Sequence, residues 1–127
     1  FGIKCKDYGE FENLGPQINT AANEVFPAIS GDTLFFASDR SDIGFGGLDI
    51  YKSALSNLFS INLGMPVNTA FDDFCPTQMN GEISYFVSNR DGGKGGNDIY
   101  KVTFAKVENF FQNLAGRIDA NGQDMSA

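Results

Sequence analysis

A duplicated phrase constrains this chain more than any other feature. Asn13-Leu14-Gly15-Pro16-Gln17-Ile18-Asn19-Thr20-Ala21 returns as Asn62-Leu63-Gly64-Met65-Pro66-Val67-Asn68-Thr69-Ala70, 49 residues later. Farther along, Ser38-Asp39-Arg40 and the glycine-rich run to Asp49-Ile50-Tyr51-Lys52 are matched by Ser88-Asn89-Arg90 and the run to Asp98-Ile99-Tyr100-Lys101. Between these landmarks Asn23-Glu24-Val25-Phe26-Pro27 keeps register with Asp72-Asp73-Phe74-Cys75-Pro76. One residue is gained at Asn80-Gly81 and one is lost in the glycine turn, which restores the offset of 49 at Asp49 and Asp98. Insertions that fall in turns are what a repeat of strands tolerates.

Each copy predicts the same order of short strands. The first covers residues 26–29 or 74–78, a tight turn follows at Gly31-Asp32 or Asn80-Gly81, and the second strand is 33–38 or 82–88. Both second strands are apolar at successive positions, Ser84 apart, so they read as strands covered on both faces. The glycine turn leads to a third strand, 49–54 or 98–104, and a more polar fourth falls near 58–62 or 109–113. No segment has a sustained helical period. Four short strands per unit of roughly 45 residues is the pattern of a β-propeller blade, whose inner strands lie between neighbouring blades. The fold class expected is therefore all-β, with about two blades of four antiparallel strands plus part of a preceding one, belonging to a larger ring. Residues 1–12 read as the last two strands of that preceding blade. Past residue 112 the repeat breaks, and Asn121-Gly122 marks a turn between two further strands.

Composition agrees with many turns around one apolar core. Gly is 15 of 127 residues and 42% of the chain is apolar, with 13 Phe; ordinary domains hold about 7% Gly, and the excess here has no collagen-like period. Sixteen acidic against nine basic residues give a net charge of -7, which repels a phosphate backbone and removes nucleic acid from the expected partners. No apolar run approaches the roughly 20 residues that span a bilayer as a helix, and no signal peptide opens the chain. The first residue is Phe1, inside an expected strand, which points to a trimmed piece of a longer protein. There is no His, and Cys5 and Cys75 are far apart, which removes zinc-finger and Cys-x-x-Cys chemistry. A Cys5–Cys75 disulfide stays open, and Cys75 as a small buried hydrophobe is the simpler reading.

With Phe26-Pro27, residues 34–40, Gly46-Gly47-x-Asp49-Ile50-Tyr51 and their second copies in view, the chain resembles the TolB-type, WD-like β-propeller repeat. The fuller phrases, Asn-Leu-Gly-x-Pro-Val-Asn-Thr and Ser-Asn-Arg-x-Gly-Gly-x-Gly-Gly-x-Asp-Ile-Tyr, are similar to the version in cell-envelope proteins of the Bacteroidetes. There such propellers lie between a helical-repeat region and an OmpA-like peptidoglycan-binding domain, and some belong to the type IX secretion and gliding machinery. The resemblance covers about residues 1–108. It implies propeller repeats over 1–112, in copies of about 13–61 and 62–110. Residues 113–127 then open a carboxypeptidase-regulatory-like β-sandwich or a linker. Two blades and a fragment cannot close a ring of about 4–8 blades, and neither flanking domain is present.

The residues that invite chemistry have a structural reading beside the functional one. Gly93-Lys94-Gly95-Gly96 resembles a phosphate loop, but such loops open a helix and this one continues as a strand. Gly92-Gly93-Lys94-Gly95-Gly96-Asn97-Asp98-Ile99 approaches the calcium-binding nonapeptide, which needs a nine-residue tandem period to share its ions. One calcium per hairpin is the remaining ion reading, with Asp42 and Asp49, or Asp91 and Asp98, as oxygen ligands beside loop carbonyls. Against it, Asp49 and Asp98 are expected to accept hydrogen bonds from loop amides, and the glycines to supply positive φ. Arg40 and Arg90 are expected to pair with a carboxylate and pin the turn. Asp72-Asp73 and Asn23-Glu24 recur at the repeat period, which favours structural roles over an acid/base pair built once. No Gly-x-Ser-x-Gly elbow or triad is present. Tyr51, Tyr100, Phe35 and Tyr85 read as packing residues before a glycan platform.

The motif residues of the repeat are thus Arg40, Gly46, Gly47, Asp49 and Tyr51, with Arg90, Gly95, Gly96, Asp98 and Tyr100. The expected function is a non-enzymatic scaffold or protein-interaction module, without cofactor. By the resemblance its setting is the periplasm, associated with the outer membrane, and its partners are envelope proteins, with peptidoglycan reached only through domains outside these residues. The alternatives are a propeller that holds a glycan, a peptidoglycan fragment or calcium, and the accessory propeller of a larger hydrolase.

Overall fold

The computed structural model describes residues 9–77, 79 and 81–104. They form an all-β arrangement of two antiparallel sheets with no helix among the described residues. The first sheet has the order β1 (Glu24–Ser30), β2 (Thr33–Ser38), β3 (Asp49–Ala54), β4 (Ile61–Asn62). The second is β5 (Asp73–Thr77), β6 (Ile83–Ser88), β7 (Asp98–Thr103). Each strand therefore pairs with its neighbour in sequence, which short turns allow and parallel pairing would not. Neither sheet closes on itself among the described residues.

Register repeats with the sequence. Ser38 pairs with Asp49 and Ala37 with Ile50 in the first sheet, as Ser88 pairs with Asp98 and Val87 with Ile99 in the second. A bulge interrupts β1 between Val25 and Ala28, and β5 between Phe74 and Thr77. At its centre Phe26 and Cys75, one period apart, both take left-handed backbone angles, φ 55 and 53. Each is followed by a proline, which removes a ladder donor and confines the residue to an edge or bulge.

The sheets pack face to face. Phe35 and Ile50 of the first sheet, Val67 from the connection, and Met79 and Phe86 of the second unit form one buried cluster, with Tyr100, Val102 and Phe104 against it. Phe26 also stacks on Phe74 between the sheets, centroids 5.2 Å apart. On the other face of the first sheet Ile18, Leu34, Phe36 and Tyr51 make a second buried cluster.

Three expectations change. The fourth strand is only the two residues of β4. Residues 9–12 carry no strand and are exposed. β2 is buried at five successive positions, but β6 alternates, with Ile83 and Tyr85 exposed, since its outer face has no covering sheet among the described residues. The 1–8 part of the leading strand pair, the 109–113 strand and the 113–127 segment lie outside the described residues, as does Cys5. Cys75 is free and half-buried, and burial pushes its thiol up from its ordinary value.

Candidate functional site

The best-built feature is a polar clamp that occurs once per sheet. Ser38 ends β2, and its Oγ donates to Glu24 Oε2 at 2.9 Å while accepting from Arg40 Nε at 3.0 Å. Arg40 Nη2 then reaches the Ile18 carbonyl at 2.7 Å and Glu24 at 3.5 Å. Thr20 closes the ring: its amide and hydroxyl donate to Glu24 at 2.9 and 2.6 Å. Burial pushes the Glu24 carboxyl up, but the hydrogen bonds from Thr20 and Ser38 and the Arg40 charge outweigh it, so it sits below its ordinary value. The guanidinium lies over two stacked rings, 5.4 Å from the Phe36 centroid and 4.6 Å from that of Tyr51.

The second sheet repeats the arrangement around its own arginine. Arg90 Nε donates to Ser88 Oγ at 2.9 Å, its Nη2 meets the Val67 carbonyl and Asp73 Oδ1 at 3.0 Å, and Thr69 donates twice to Asp73. Its guanidinium covers Phe86 and Tyr100 at 5.1 and 5.0 Å. A planar group that donates at its rim while its face rests on aromatic rings is a role Lys cannot fill.

Asp49 and Asp98 hold the glycine turns. Asp49 Oδ2 accepts from the Phe45 amide at 2.6 Å, and Asp98 Oδ2 from the Lys94 and Gly95 amides at 2.7 and 3.3 Å. Burial raises the Asp49 pKa against these bonds, and burial likewise raises that of Tyr51. Asp42 and Asp91 lie at exposed turn positions, so the carboxylate pairs Asp42/Asp49 and Asp91/Asp98 each join a solvated group to one already turned toward backbone donors. Among the described residues no group of three or more His, Cys, Asp or Glu converges as metal ligands.

The adjacent carboxylates Asp72 and Asp73 are sent to different partners. Asp73 is buried against Thr69 and Arg90. Asp72 accepts from Asn89 Nδ2 and, across the sheet boundary, from the Leu48 amide at 2.8 Å. In the first copy Asn23 and Glu24 divide in the same way, Asn23 bonding Asp39 and Glu24 the clamp. The aromatics form no common platform: Phe35 and Tyr51 are buried, whereas Tyr85 is exposed.

One functional side chain was not singled out from sequence. Asn68, fully buried, accepts from the Ile50 amide at 2.7 Å and donates to the Ile50 carbonyl at 2.9 Å, so its side chain acts as an extra strand residue on β3. Its Nδ2 also meets Asn62 Oδ1, which accepts from the Gly64 amide. The signal was present in the repeated Ile/Val-Asn-Thr-Ala phrase, where Asn19 is the counterpart and donates likewise to Asn13. Beside this clamp Gly46 and Gly47 pack so closely on the next unit that a Cβ on either would overlap the Ala70 carbonyl group or the Asp72 carboxylate.

Comparison with protein-family models, with curated proteins and with solved structures finds no match.

Proposed function

We propose that this chain is a propeller-type scaffold, a non-enzymatic module that binds protein partners in a bacterial cell envelope. The observation that carries the reading is the duplication of its polar chemistry. Arg40 with Glu24 and Ser38, and Arg90 with Asp73 and Ser88, are the same hydrogen-bonded set built twice. A catalytic centre needs its acid, base or nucleophile free to meet a substrate; here the shared charged groups are turned inward to hold loops. The repeat phrases and their resemblance to the Bacteroidetes envelope propellers support the setting: periplasmic, associated with the outer membrane, linked to peptidoglycan through other domains, and in some proteins of that kind part of type IX secretion. The net charge of -7 suits a surface that stays soluble and discriminates among partners by charge.

Photo-crosslinking from Phe45, an exposed residue of the first glycine loop, tests the reading in envelope preparations. A crosslink to a defined protein is the expected result. Crosslinking to glycan strands alone, or a calcium-dependent rise in melting temperature that Asp98→Ala abolishes, would overturn it in favour of a ligand module, since a ligand held only by the native state must stabilise that state.

A further inference from the structure

Positions that do the same backbone work in both copies, but with different side chains, show which side chains the fold leaves free. The Phe45 amide donates to Asp49 Oδ2 at 2.6 Å, and one period later the Lys94 amide donates to Asp98 Oδ2 at 2.7 Å. The Phe71 amide donates to Thr69 Oγ1 at 3.2 Å, as the Ala22 amide does to Thr20 Oγ1 at 3.1 Å. The turn uses the amide alone at both places, since Lys or Ala serves it where the other copy has Phe. Neither ring is folded away: Phe45 is 46% and Phe71 41% exposed, and Ile43, matched by Gly92 one period on, is 50% exposed. The three share one end of the two sheets. Phe45 and Phe71 adjoin Gly46 and Ala70, whose backbones are in contact, and Leu48 is bonded to Asp72 and Asp73 beside them. Single exposed apolar residues are ordinary, but three on adjoining turns make a patch.

Charge is sorted toward the same end. Asp39, Asp42 and Asp91 are exposed on its turns and Asp72 and Asp98 half-exposed, while Lys94 is the one cation among the described residues there that no clamp holds. Arg40 is turned inward to Glu24 and Arg90 to Asp73. Asn89 bonds Asp72 twice, which brings the start of the second glycine loop, with Asp91, beside the connection that carries Phe71. On the strands and at the opposite turns Asp32 and Glu82 stand against Lys52 and Lys101, so no comparable excess builds up there. The apolar patch thus lies in a negative surround, the layout of an interface with an apolar centre and a charged rim.

We infer that this face docks a basic segment of the partner protein, in which Lys or Arg side chains flank an aromatic or aliphatic residue. The apolar residue covers Ile43, Phe45 and Phe71, where burial supplies the affinity. The flanking cations meet Asp42, Asp72 and Asp91, which set orientation, association rate and salt dependence. The same carboxylates reject acidic partners. The second glycine loop has Lys94 at the Phe45 position and Gly92 at the Ile43 position, so it lacks the apolar centre and the repeat builds this site once among the described residues. The inference rests on the scaffold reading and adds to it the chemistry of the partner.

Selection of random phage-displayed peptides on the whole chain tests it, followed by anisotropy titration of the enriched peptides. The variants Phe45→Lys and Phe71→Ala each install the residue with which the other copy makes the same turn, so unchanged circular dichroism is expected, and Phe71→Ala isolates the apolar part. The expected result is a set rich in Lys and Arg beside apolar residues, with an affinity that falls as ionic strength rises and drops about tenfold or more in either variant. Asp42→Asn combined with Asp91→Asn should flatten the salt dependence, and Asp32→Asn, at an opposite turn, should change nothing. Enriched peptides without an excess of basic residues, basic peptides that bind Phe71→Ala as well as the parent, or no enrichment at all overturn the inference. A mass in light scattering that doubles with concentration, and stays at 13.8 kDa in Phe71→Ala, overturns it too and assigns the face to a second copy. Each of these outcomes leaves the scaffold reading standing, since that reading is decided by what crosslinks to Phe45.

Discussion

The guanidinium carbon of Arg40 lies 4.6 Å from the centre of the Tyr51 ring, and one period later Arg90 stands 5.0 Å from that of Tyr100. In both pairs the carboxylate is enclosed, Glu24 beside Arg40 and the fully buried Asp73 beside Arg90. Removing one partner of an enclosed pair leaves the other uncompensated, which costs about 3–5 kcal/mol, more than screening allows at a wetter site. Arg40→Ala and Arg90→Ala should therefore each lose about that much stability in urea unfolding, the first through the stranded Glu24 and Ile18 carbonyl and the second through the stranded Asp73 and Val67 carbonyl. Arg40→Lys should restore little, because a single ammonium cannot donate to Ser38 and Ile18 while lying flat on Phe36 and Tyr51.

Much of this arrangement was legible in the order of residues, for a physical reason. The strand Thr33–Ser38 is an apolar run bounded by turn residues, and its antiparallel pairing with Asp49–Ala54 follows once the glycine turn between them is placed. The roles of Asp49 and Arg40 also follow locally, since an Asp or Arg beside a glycine turn has few partners but that turn. What sequence could not supply was burial by another unit. Ile50 and Ile99 sit in the same phrase, yet one is enclosed and the other exposed, because covering depends on what lies beyond the repeat. The Asn68 clamp was missed for the same reason: its partner, Ile50, is 18 residues away on another unit's strand, and an Asn in a polar phrase reads as a turn residue.

Stability should depend on pH through two carboxyl groups shifted in opposite directions. Glu24 lies below its ordinary 4.5 when folded, so its contribution is complete above that value and is lost as pH falls through the folded value. Asp49 is raised above its ordinary 3.8 by burial, so ionising it opposes folding, a cost absent below 3.8 and fully present once pH has passed the folded value. In urea titrations at a series of pH values, the deficit of Glu24→Gln against the parent should shrink on acidification. The position of Asp49→Asn relative to the parent should improve as pH rises, since the amide keeps an acceptor for the Phe45 N–H without a charge.

Asn68 offers a separate test of how the two sheets are joined. Asn68→Ala leaves the buried amide and carbonyl of Ile50 without their side-chain partner, which costs about 1–3 kcal/mol. Asn68→Asp keeps an acceptor for the amide but sets a carboxylate against the Ile50 carbonyl, so it should be the worse variant near neutral pH and recover on acidification. Hydrogen exchange at the Ile50 amide reads the local effect, and faster exchange there than in β2 is expected for both variants.

The glycine turns give the sharpest comparison, because the same substitution at equivalent positions should have different outcomes. Gly46→Ala drives a Cβ into the backbone of Ala70, and backbone cannot yield as a flexible side chain can, so the two sheets must separate at the turn. Overpacking of this kind costs about 1–3 kcal/mol, and a lower urea midpoint with accelerated exchange at Leu48 and Asp73, whose backbones are bonded across that boundary, would record it. Gly95→Ala meets only the Asp98 carboxylate at 3.8 Å, an ordinary contact. It should be neutral, or stabilising by about 0.4–1 kcal/mol through a less flexible unfolded chain. Equal losses of monomer stability at residues 46 and 95 would mean that the second turn is already covered within its own chain.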